Sequence, residues 1–154
     1  MANLNPGDKA PAFTLKNQSG EKVNLKDFLG QKVVIFFYPQ DNTPTCTKEA
    51  CNLRDNFTIL KKKNIIVLGI SPDDEVSHQK FIEQQKLPFT LLADVDKKVI
   101  DKYGVWGEKT MFANKYMGLL RTTFLINEKG VIDHIIKKVR SSEHTDQILK
   151  IWKI

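Results

Sequence analysis

The sequence has few cysteines and no long hydrophobic run, and each shortage excludes a class of protein. Two cysteines in 154 residues are too few for a disulfide-dense secreted scaffold or a four-cysteine zinc or iron–sulfur site. The longest aliphatic or aromatic runs, at 33–38 and 65–70, are far shorter than the ~20 residues that span a bilayer. The polar segment 1–9 lacks the apolar stretch of a signal peptide. We therefore expect a cytoplasmic protein, in which a functional cysteine is catalytic or redox-sensing.

The sequence also lacks a strong charge bias and any internal division. The chain has 24 Lys and Arg against 18 Asp and Glu, which gives a net charge of +6. That charge favours solubility but falls short of what a nucleic-acid-binding surface requires. Since no repeat, low-complexity segment or Gly/Ser/Pro-rich linker interrupts the sequence, residues 1–154 are predicted to form one domain.

Hydrophobic patterning predicts an α/β fold. Short alternating segments at 13–15 and 22–25 flank a turn and indicate an N-terminal β-hairpin. Near-continuous apolar runs indicate two buried strands, at 32–38 and 65–71. Further strands are predicted at 89–93, 122–126 and 131–139, and helices at 47–62, from about 74 to 86, at 97–103 and at 142–152. This order implies a central mixed β-sheet flanked by helices on both faces.

Cys46 is the strongest candidate for chemistry, because it follows the turn-rich segment 41–45 and falls in the first turn of a predicted helix. A free thiol with a pKa near 8.5 is only about 3% thiolate at pH 7. Making such a thiol mostly ionised requires about 3.4 kcal/mol of stabilisation, and a helix dipole supplies at most about 2 kcal/mol. A nearby cation is therefore needed. Arg121, at the start of a later strand, is a candidate, since its guanidinium is always charged.

The loop before Cys46 carries two threonines and two prolines. The hydroxyls of Thr43 and Thr45 both donate and accept hydrogen bonds, as a bound peroxide requires. Pro39 and Pro44 stiffen the loop and are expected to present apolar walls that exclude water from a reactive thiolate.

The second cysteine, Cys51, lies five residues after the first. Five residues along a regular helix separate two Cα atoms by roughly 8.7 Å, whereas a disulfide requires less than about 7 Å. If Cys46 and Cys51 form a bond, the first turns of the helix must therefore unwind.

The motif Pro39-x-x-x-Thr43-x-x-Cys46, with Arg121 later in the chain, resembles the active-site pattern of the peroxiredoxins. The spacing Thr43-Pro44-x-Cys46-x-x-x-x-Cys51 resembles the bacterioferritin comigratory protein, or peroxiredoxin Q, subfamily. The resemblance extends over nearly the whole chain, through Pro-Gly-Asp-x-Ala-Pro-x-Phe at 6–13, Gly-Ile-Ser-Pro-Asp at 69–73, Leu-Pro-Phe at 87–89, Tyr-Gly-Val-Trp at 103–106 and Arg-Thr-Thr-Phe-Leu-Ile at 121–126.

The resemblance implies a thioredoxin-like fold with an N-terminal β-hairpin. It implies a thiol peroxidase that reduces hydrogen peroxide and organic hydroperoxides to water and alcohols through a cysteine sulfenic acid. Cys46 matches the peroxidatic cysteine, and Cys51 matches the resolving cysteine that forms an intramolecular disulfide with it. Such enzymes are antioxidants in cell redox homeostasis.

The resemblance also assigns supporting roles. Thr43 matches the peroxide-binding hydroxyl, Pro39 the shielding proline, Arg121 the arginine, and Glu49 a helix acid that orients the arginine. It implies thioredoxin or a similar dithiol protein as reductant, no metal, haem or flavin cofactor, no nucleic-acid or membrane partner, and a monomer or weak dimer. The segment 107–120 matches the variable stretch of the family.

Two other functions remain open from the residues alone. One is a general disulfide oxidoreductase, although the chain has no Cys-x-x-Cys pair. The other is a non-catalytic basic module that binds nucleic acid or holds unfolded proteins, although no recognition motif accompanies the positive charge. The three histidines show no paired ligand spacing, so we expect surface or structural roles for His78, His134 and His144.

Overall fold

The structure, a computed structural model, describes residues 4–154. Over that range the chain forms nine β-strands and five α-helices. The strands are β1 Thr14–Asn17, β2 Lys22–Asn24, β3 Lys32–Phe37, β4 Ile65–Ser71, β5 Thr90–Ala93, β6 Trp106–Met111, β7 Asn114–Leu119, β8 Thr122–Ile126 and β9 Ile132–Ile136. The helices are α1 Pro44–Asp55, α2 Phe57–Lys62, α3 Glu75–Gln85, α4 Lys98–Lys102 and α5 His144–Trp152. None of the helices in residues 4–154 is both long and apolar enough to cross a membrane.

Seven strands form one mixed sheet in the order β2-β1-β5-β4-β3-β8-β9. The β3–β4 and β4–β5 pairs are parallel, and every other pair in this sheet is antiparallel. The predicted N-terminal hairpin is present as β1 and β2. The predicted α/β fold, a mixed sheet flanked by helices, is confirmed.

The central strand β3 is buried on both faces, as its apolar sequence predicts. Alternate side chains enter two different hydrophobic cores, because successive residues of a strand point to opposite faces. Val33, Ile35 and Phe37 pack in the first core. Val34 and Phe36 pack in the second, which also contains the Cys46 side chain.

The helix predicted at 47–62 is two helices, which is a correction to the sequence-based prediction. α1 begins earlier, at Pro44, and the chain leaves helical geometry at Asn56, where φ is −109° and ψ is 12°. The side-chain amide of Asn56 donates to the carbonyl oxygen of Asn52 at 2.8 Å. Asparagine competes in this way with the backbone ladder and favours helix ends.

A β-hairpin in the segment 107–120 was not predicted. β6 and β7 pair with each other in a separate two-stranded sheet. The turn between them is formed by Phe112 and Ala113, both with positive φ. Glycine or asparagine usually marks such a turn, and neither occupies these two positions. The ordinary sequence signal for the hairpin was therefore missing.

Two C-terminal elements are shorter than predicted. β9 ends at Ile136 rather than at Val139, because its partner β8 begins at Thr122 and the last paired residues are Thr123 and Ile136. The final helix, predicted from Ser142, begins at His144 and is preceded by a 3₁₀ turn at Ser141–Glu143.

Candidate active site

Cys46 lies in the first turn of α1, directly after the loop that follows β3. Thr43 precedes the helix with an extended backbone, and Pro44 is the first helical residue, a position where the missing N–H of proline costs no hydrogen bond. The first helical hydrogen bond runs from the N–H of Thr47 to the carbonyl oxygen of Thr43, at 2.8 Å. Cys46 is therefore where backbone N–H groups and the helix dipole stabilise negative charge.

Sheet pairing brings Arg121 to the same place, although it is 75 residues away from Cys46 in the sequence. The last residue of β3, Phe37, pairs with the first residue of β8, Thr122. Arg121 precedes Thr122 and so lies beside the start of the loop that leads to α1. Its Nη2 donates a hydrogen bond to Cys46 Sγ at 3.0 Å.

Arg121 also binds Glu49, which lies one helical turn after Cys46 and on the same face of α1. Nη1 of Arg121 donates to Glu49 Oε1 at 2.7 Å. The arginine side chain is 17% exposed and the glutamate side chain is fully buried. Burial by itself lowers the pKa of Arg121, but the charge of Glu49, helped by Cys46, raises it above the ordinary value. The guanidinium therefore stays charged while it joins the sulfur to the carboxyl group.

Glu49 has an unusual protonation range. Burial raises its pKa from 4.5 to about 7, although the Arg121 charge and hydrogen bond act in the opposite direction. Near neutral pH this carboxyl group is therefore present both with and without its proton, next to the arginine that contacts Cys46.

The loop residues predicted to assist Cys46 differ in exposure. Thr43 and Pro39 are half-buried, whereas Pro44 and Thr45 are exposed. Thr43 Oγ1 donates to the carbonyl oxygen of Gln40 at 3.1 Å. Its oxygen can therefore still accept a hydrogen bond from a ligand that carries an O–H group. Pro44 starts α1, and its exposure does not match the enclosing wall that was expected of it.

A buried polar cluster fixes the loop before Cys46. Asp41 accepts hydrogen bonds from the Tyr38 hydroxyl at 2.6 Å, the Ser77 hydroxyl at 2.7 Å and His78 Nδ1 at 2.8 Å. The other ring nitrogen, His78 Nε2, is 3.0 Å from the carbonyl oxygen of Leu92. Because α3 and β5 both hold the cluster, the position of the loop is tied to the sheet and its covering helix.

Cys51 points toward α3 rather than toward Cys46. The two cysteines are free thiols within the continuous helix α1. Cys51 Sγ is 3.5 Å from Gln85 Oε1 at the end of α3, and the Gln85 carbonyl oxygen accepts from Arg54 Nη1 at 2.7 Å. In this state the helix holds the two sulfurs apart, as the helical spacing predicts.

Two buried histidines near the site were missed as site residues by sequence reasoning. His78 and His144 have no exposed surface, and His144 Nε2 is 3.5 Å from Glu49 Oε2. A signal was available, since each shares a helix face with a buried apolar residue, Phe81 in α3 and Ile148 in α5. His134 is exposed on β9, as expected.

Comparison with known proteins relates the whole chain to one group. A family model described as the AhpC/TSA family matches residues 6–135. Peroxiredoxin Bcp of Escherichia coli strain K12 is 47% identical over 153 residues, which cover 99% of this chain and 98% of that protein.

Solved structures give the same relationship. A mutant of Xylella fastidiosa PrxQ superimposes with a TM-score of 0.91 at 29% identity and covers 99% of this chain and 98% of its own. Bacterioferritin comigratory protein of Xanthomonas campestris, described with its alkyl peroxide reduction activity, superimposes with a TM-score of 0.85 at 30% identity, over 92% of this chain and 90% of its own.

Proposed function

Since the chain belongs to the AhpC/TSA family and is a peroxiredoxin, we propose that its thiol peroxidase activity is carried by Cys46. The observation that supports this assignment most strongly is the 3.0 Å contact between Arg121 Nη2 and Cys46 Sγ in the first turn of α1. A permanent positive charge and a helix N-terminus meet at one sulfur atom, and both favour its ionised form.

In the proposed reaction, the Cys46 thiolate attacks the terminal oxygen of the peroxide. A sulfur–oxygen bond forms as the oxygen–oxygen bond breaks, so the sulfur is oxidised to a sulfenic acid and the peroxide is reduced. The leaving alkoxide or hydroxide takes up a proton and departs as alcohol or water. The Thr43 hydroxyl, whose own hydrogen is given to Gln40, can accept the hydrogen bond of the peroxide O–H group.

Negative charge moves from sulfur to the leaving oxygen during this step. Arg121 and the N–H groups of the first turn of α1 are fixed before the reaction, so they can stabilise that charge without reorganising. Glu49 holds one side of the guanidinium at 2.7 Å and leaves Nη2 directed at the sulfur. Pro39, half-buried at the start of the loop, limits the access of water.

We assign the resolving role to Cys51. Its thiol attacks the sulfenic sulfur of Cys46, a disulfide forms and the sulfenic oxygen leaves as water. Because the continuous helix keeps the two cysteines too far apart for a disulfide, the first turns of α1 must unwind before this step.

The contacts of Asn52 indicate where the unwinding stops. Its side chain donates to the carbonyl oxygen of Ser142 at 2.9 Å and accepts from the N–H of Thr145 at 2.7 Å. Both partners lie at the start of the C-terminal helical segment, and Asn56 binds the Asn52 carbonyl oxygen as well. We therefore expect residues 44–51 to unwind and the helix from Asn52 onward to persist.

Peroxide titration of the reduced protein tests this sequence of steps. Intact mass under non-reducing conditions should show the loss of two hydrogen atoms. Amide exchange should show lost protection at 47–55, whose N–H groups lie in the unwound segment or bond to its carbonyl oxygens, with protection retained at 59–62. In a Cys51→Ser control, the product should instead carry an added oxygen. Persistent added oxygen in the wild-type protein, or unchanged protection of 47–51 in the disulfide form, contradicts the resolving role of Cys51.

The partners follow from the family. The protein takes peroxides as substrates, and we propose that a thioredoxin-type dithiol protein reduces the disulfide by thiol–disulfide exchange. Organic hydroperoxides are proposed as substrates beside hydrogen peroxide, since a Xanthomonas campestris relative is described as reducing alkyl peroxide. The cytoplasmic location and the monomeric or weakly dimeric state stay predictions.

A further inference from the structure

His144, the first residue of α5, is a buried histidine that the steps above do not use. Its Nδ1 lies 3.0 Å from Gln147 Oε1. Its Nε2 lies 2.9 Å from Thr123 Oγ1 and 3.5 Å from Glu49 Oε2. The Glu49 carboxyl group therefore lies next to both His144, through Oε2, and the Arg121 guanidinium, through Oε1.

The orientation of the Gln147 amide determines which ring nitrogen of His144 carries hydrogen. Gln147 Oε1 accepts from the backbone N–H of Arg140 at 2.8 Å, and Gln147 Nε2 donates to the carbonyl oxygen of Lys138 at 3.0 Å. The atom facing His144 is thus an acceptor, so Nδ1 carries the hydrogen. In a neutral ring, Nε2 then presents one lone pair, which can accept from the Thr123 hydroxyl or, when Glu49 is protonated, from its carboxyl group.

The ring is neutral at pH 7. The pKa of His144 falls from 6.5 to about 4, because burial outweighs the opposing hydrogen bond to Gln147 and the nearby Arg121 charge adds to the fall. A neutral, buried imidazole that accepts at Nε2 favours a neighbouring group that donates.

Glu49 Oε2 lies 3.5 Å from that nitrogen. Within residues 4–154 it is the buried side-chain oxygen or nitrogen atom that has no hydrogen-bond partner. An ionised carboxylate would set two acceptors against each other and leave a buried oxygen unsatisfied, which is costly. A proton on Oε2 makes this oxygen a donor toward His144 Nε2 and removes the conflict.

We propose that His144 is a positioning residue that holds a proton on Glu49 Oε2, so that the positive charge of Arg121 acts on the sulfur of Cys46. The proposal rests on the proposed role of Cys46. Neutral Glu49 still accepts the Arg121 hydrogen bond through Oε1, which preserves the geometry. Ionised Glu49 would add a second negative charge beside the guanidinium and disfavour the thiolate.

The charged or titratable groups that face this carboxyl group come from three elements. Arg121 approaches from the start of β8, His144 from α5, and Cys46 from α1, the helix of Glu49 itself. Arg121 favours the ionised carboxyl group, whereas a Cys46 thiolate and the neutral imidazole both favour the proton.

The test measures how fast iodoacetamide alkylates Cys46 between about pH 5 and pH 9, in protein that carries Cys51→Ser. His144→Ala should shift the half-maximal rate to higher pH by about 0.5 to 1 pH unit, the size expected of one added charge in a partly buried site. In a Glu49→Gln background, the same change should produce no shift, because an amide has no such proton to lose.

Three further measurements separate positioning from packing. His144→Gln can place an amide oxygen near the Nε2 position. Its half-maximal rate should therefore differ from the wild-type value by no more than half of the shift that His144→Ala causes. Thr123→Val, which removes the other partner of Nε2, should keep the wild-type profile. The wild-type protein should show the infrared band of a protonated carboxyl group at about pH 6. As the pH is raised, this band should disappear at a lower pH in His144→Ala than in the wild-type protein. It should be absent in Glu49→Gln.

The proposal is overturned if His144→Ala shifts the half-maximal alkylation rate equally with Glu49 present and in the Glu49→Gln background. It is also overturned if His144→Ala causes no shift in either. A wild-type infrared spectrum without the Glu49 band at about pH 6 overturns it as well. None of these measurements uses peroxide, so their failure is distinct from a failure of the peroxidase assignment, which would appear as absent peroxide consumption by the wild-type protein.

Discussion

Replacement of Cys46 by serine is expected to abolish peroxide turnover, with a loss of at least about 10⁴-fold, in the range found when other catalytic nucleophiles are removed. A serine hydroxyl stays protonated at neutral pH and is a weak nucleophile without an adjacent base. Here the side chain that is hydrogen-bonded to the sulfur is the Arg121 guanidinium, which has no acceptor atom and cannot take the hydroxyl proton. Initial rates of hydrogen peroxide and alkyl hydroperoxide loss measure the effect.

The matched control is Cys51→Ser, which makes the same substitution at the other cysteine of α1, five residues later. It should still consume about one equivalent of peroxide and then stop, because the first oxidation needs Cys46 and the resolution step needs Cys51. Peroxide turnover by Cys46→Ser at more than a hundredth of the wild-type rate would end the assignment of Cys46. Circular dichroism should show that both variants keep the fold.

Replacement of Arg121 by glutamine is expected to lower kcat/KM for peroxide by about 10² to 10³-fold, the usual cost of removing one preorganised donor from a developing charge. Glutamine loses the positive charge and cannot bind Cys46 Sγ and Glu49 Oε1 together, as the arginine does at 3.0 and 2.7 Å. The kcat/KM of Arg121→Lys should lie between those of the wild-type protein and Arg121→Gln, because an ammonium group keeps the charge but lacks the planar fork of a guanidinium.

Arg140 supplies the control for a general loss of positive charge. Its side chain is 74% exposed and its ion pair with Glu143 is long, at 3.9 Å, so the interaction has a small energetic value. Arg140→Gln should therefore leave kcat/KM within about twofold of the wild-type value. If the kcat/KM of Arg121→Gln also stayed within about twofold of the wild-type value, the guanidinium would not assist the reaction.

Local sequence patterns were sufficient to predict the elements that create the helix start. The apolar run of β3 ends where a cluster of turn residues begins, and α1 follows with a proline in its first turn. These are short-range signals, and the structure has Cys46 in the predicted place. The resemblance supplied what local patterns could not, namely that Arg121 belongs to the same site.

Features that depend on long-range contacts were not predictable in the same way. The β6–β7 hairpin has no glycine or asparagine at its two turn positions, Phe112 and Ala113. The roles of His78 and His144 depend on partners 37 and 21 residues away in the sequence, Asp41 and Thr123. A buried histidine has no local signature beyond its place on an apolar helix face, so only the fold could reveal these partners.

The break between α1 and α2 was missed for a related reason. Apolar spacing continues from Leu53 through Phe57 to Leu60, so periodicity alone predicts one helix. The side chain of Asn56 decides the outcome by binding the Asn52 carbonyl oxygen. That contact has a functional counterpart, since it stabilises the part of the helix that is expected to remain folded when the disulfide forms.

The central claim is that a helix start and a guanidinium meet at the sulfur of Cys46 and favour its ionised form. The most direct measurement is the alkylation rate of Cys46 against pH in Cys51→Ser protein, with and without Arg121→Gln. The account predicts that replacement of Arg121 shifts the half-maximal rate upward by at least about one pH unit. A half-maximal rate near the ordinary thiol value of about pH 8.5, unmoved by Arg121→Gln, would contradict it.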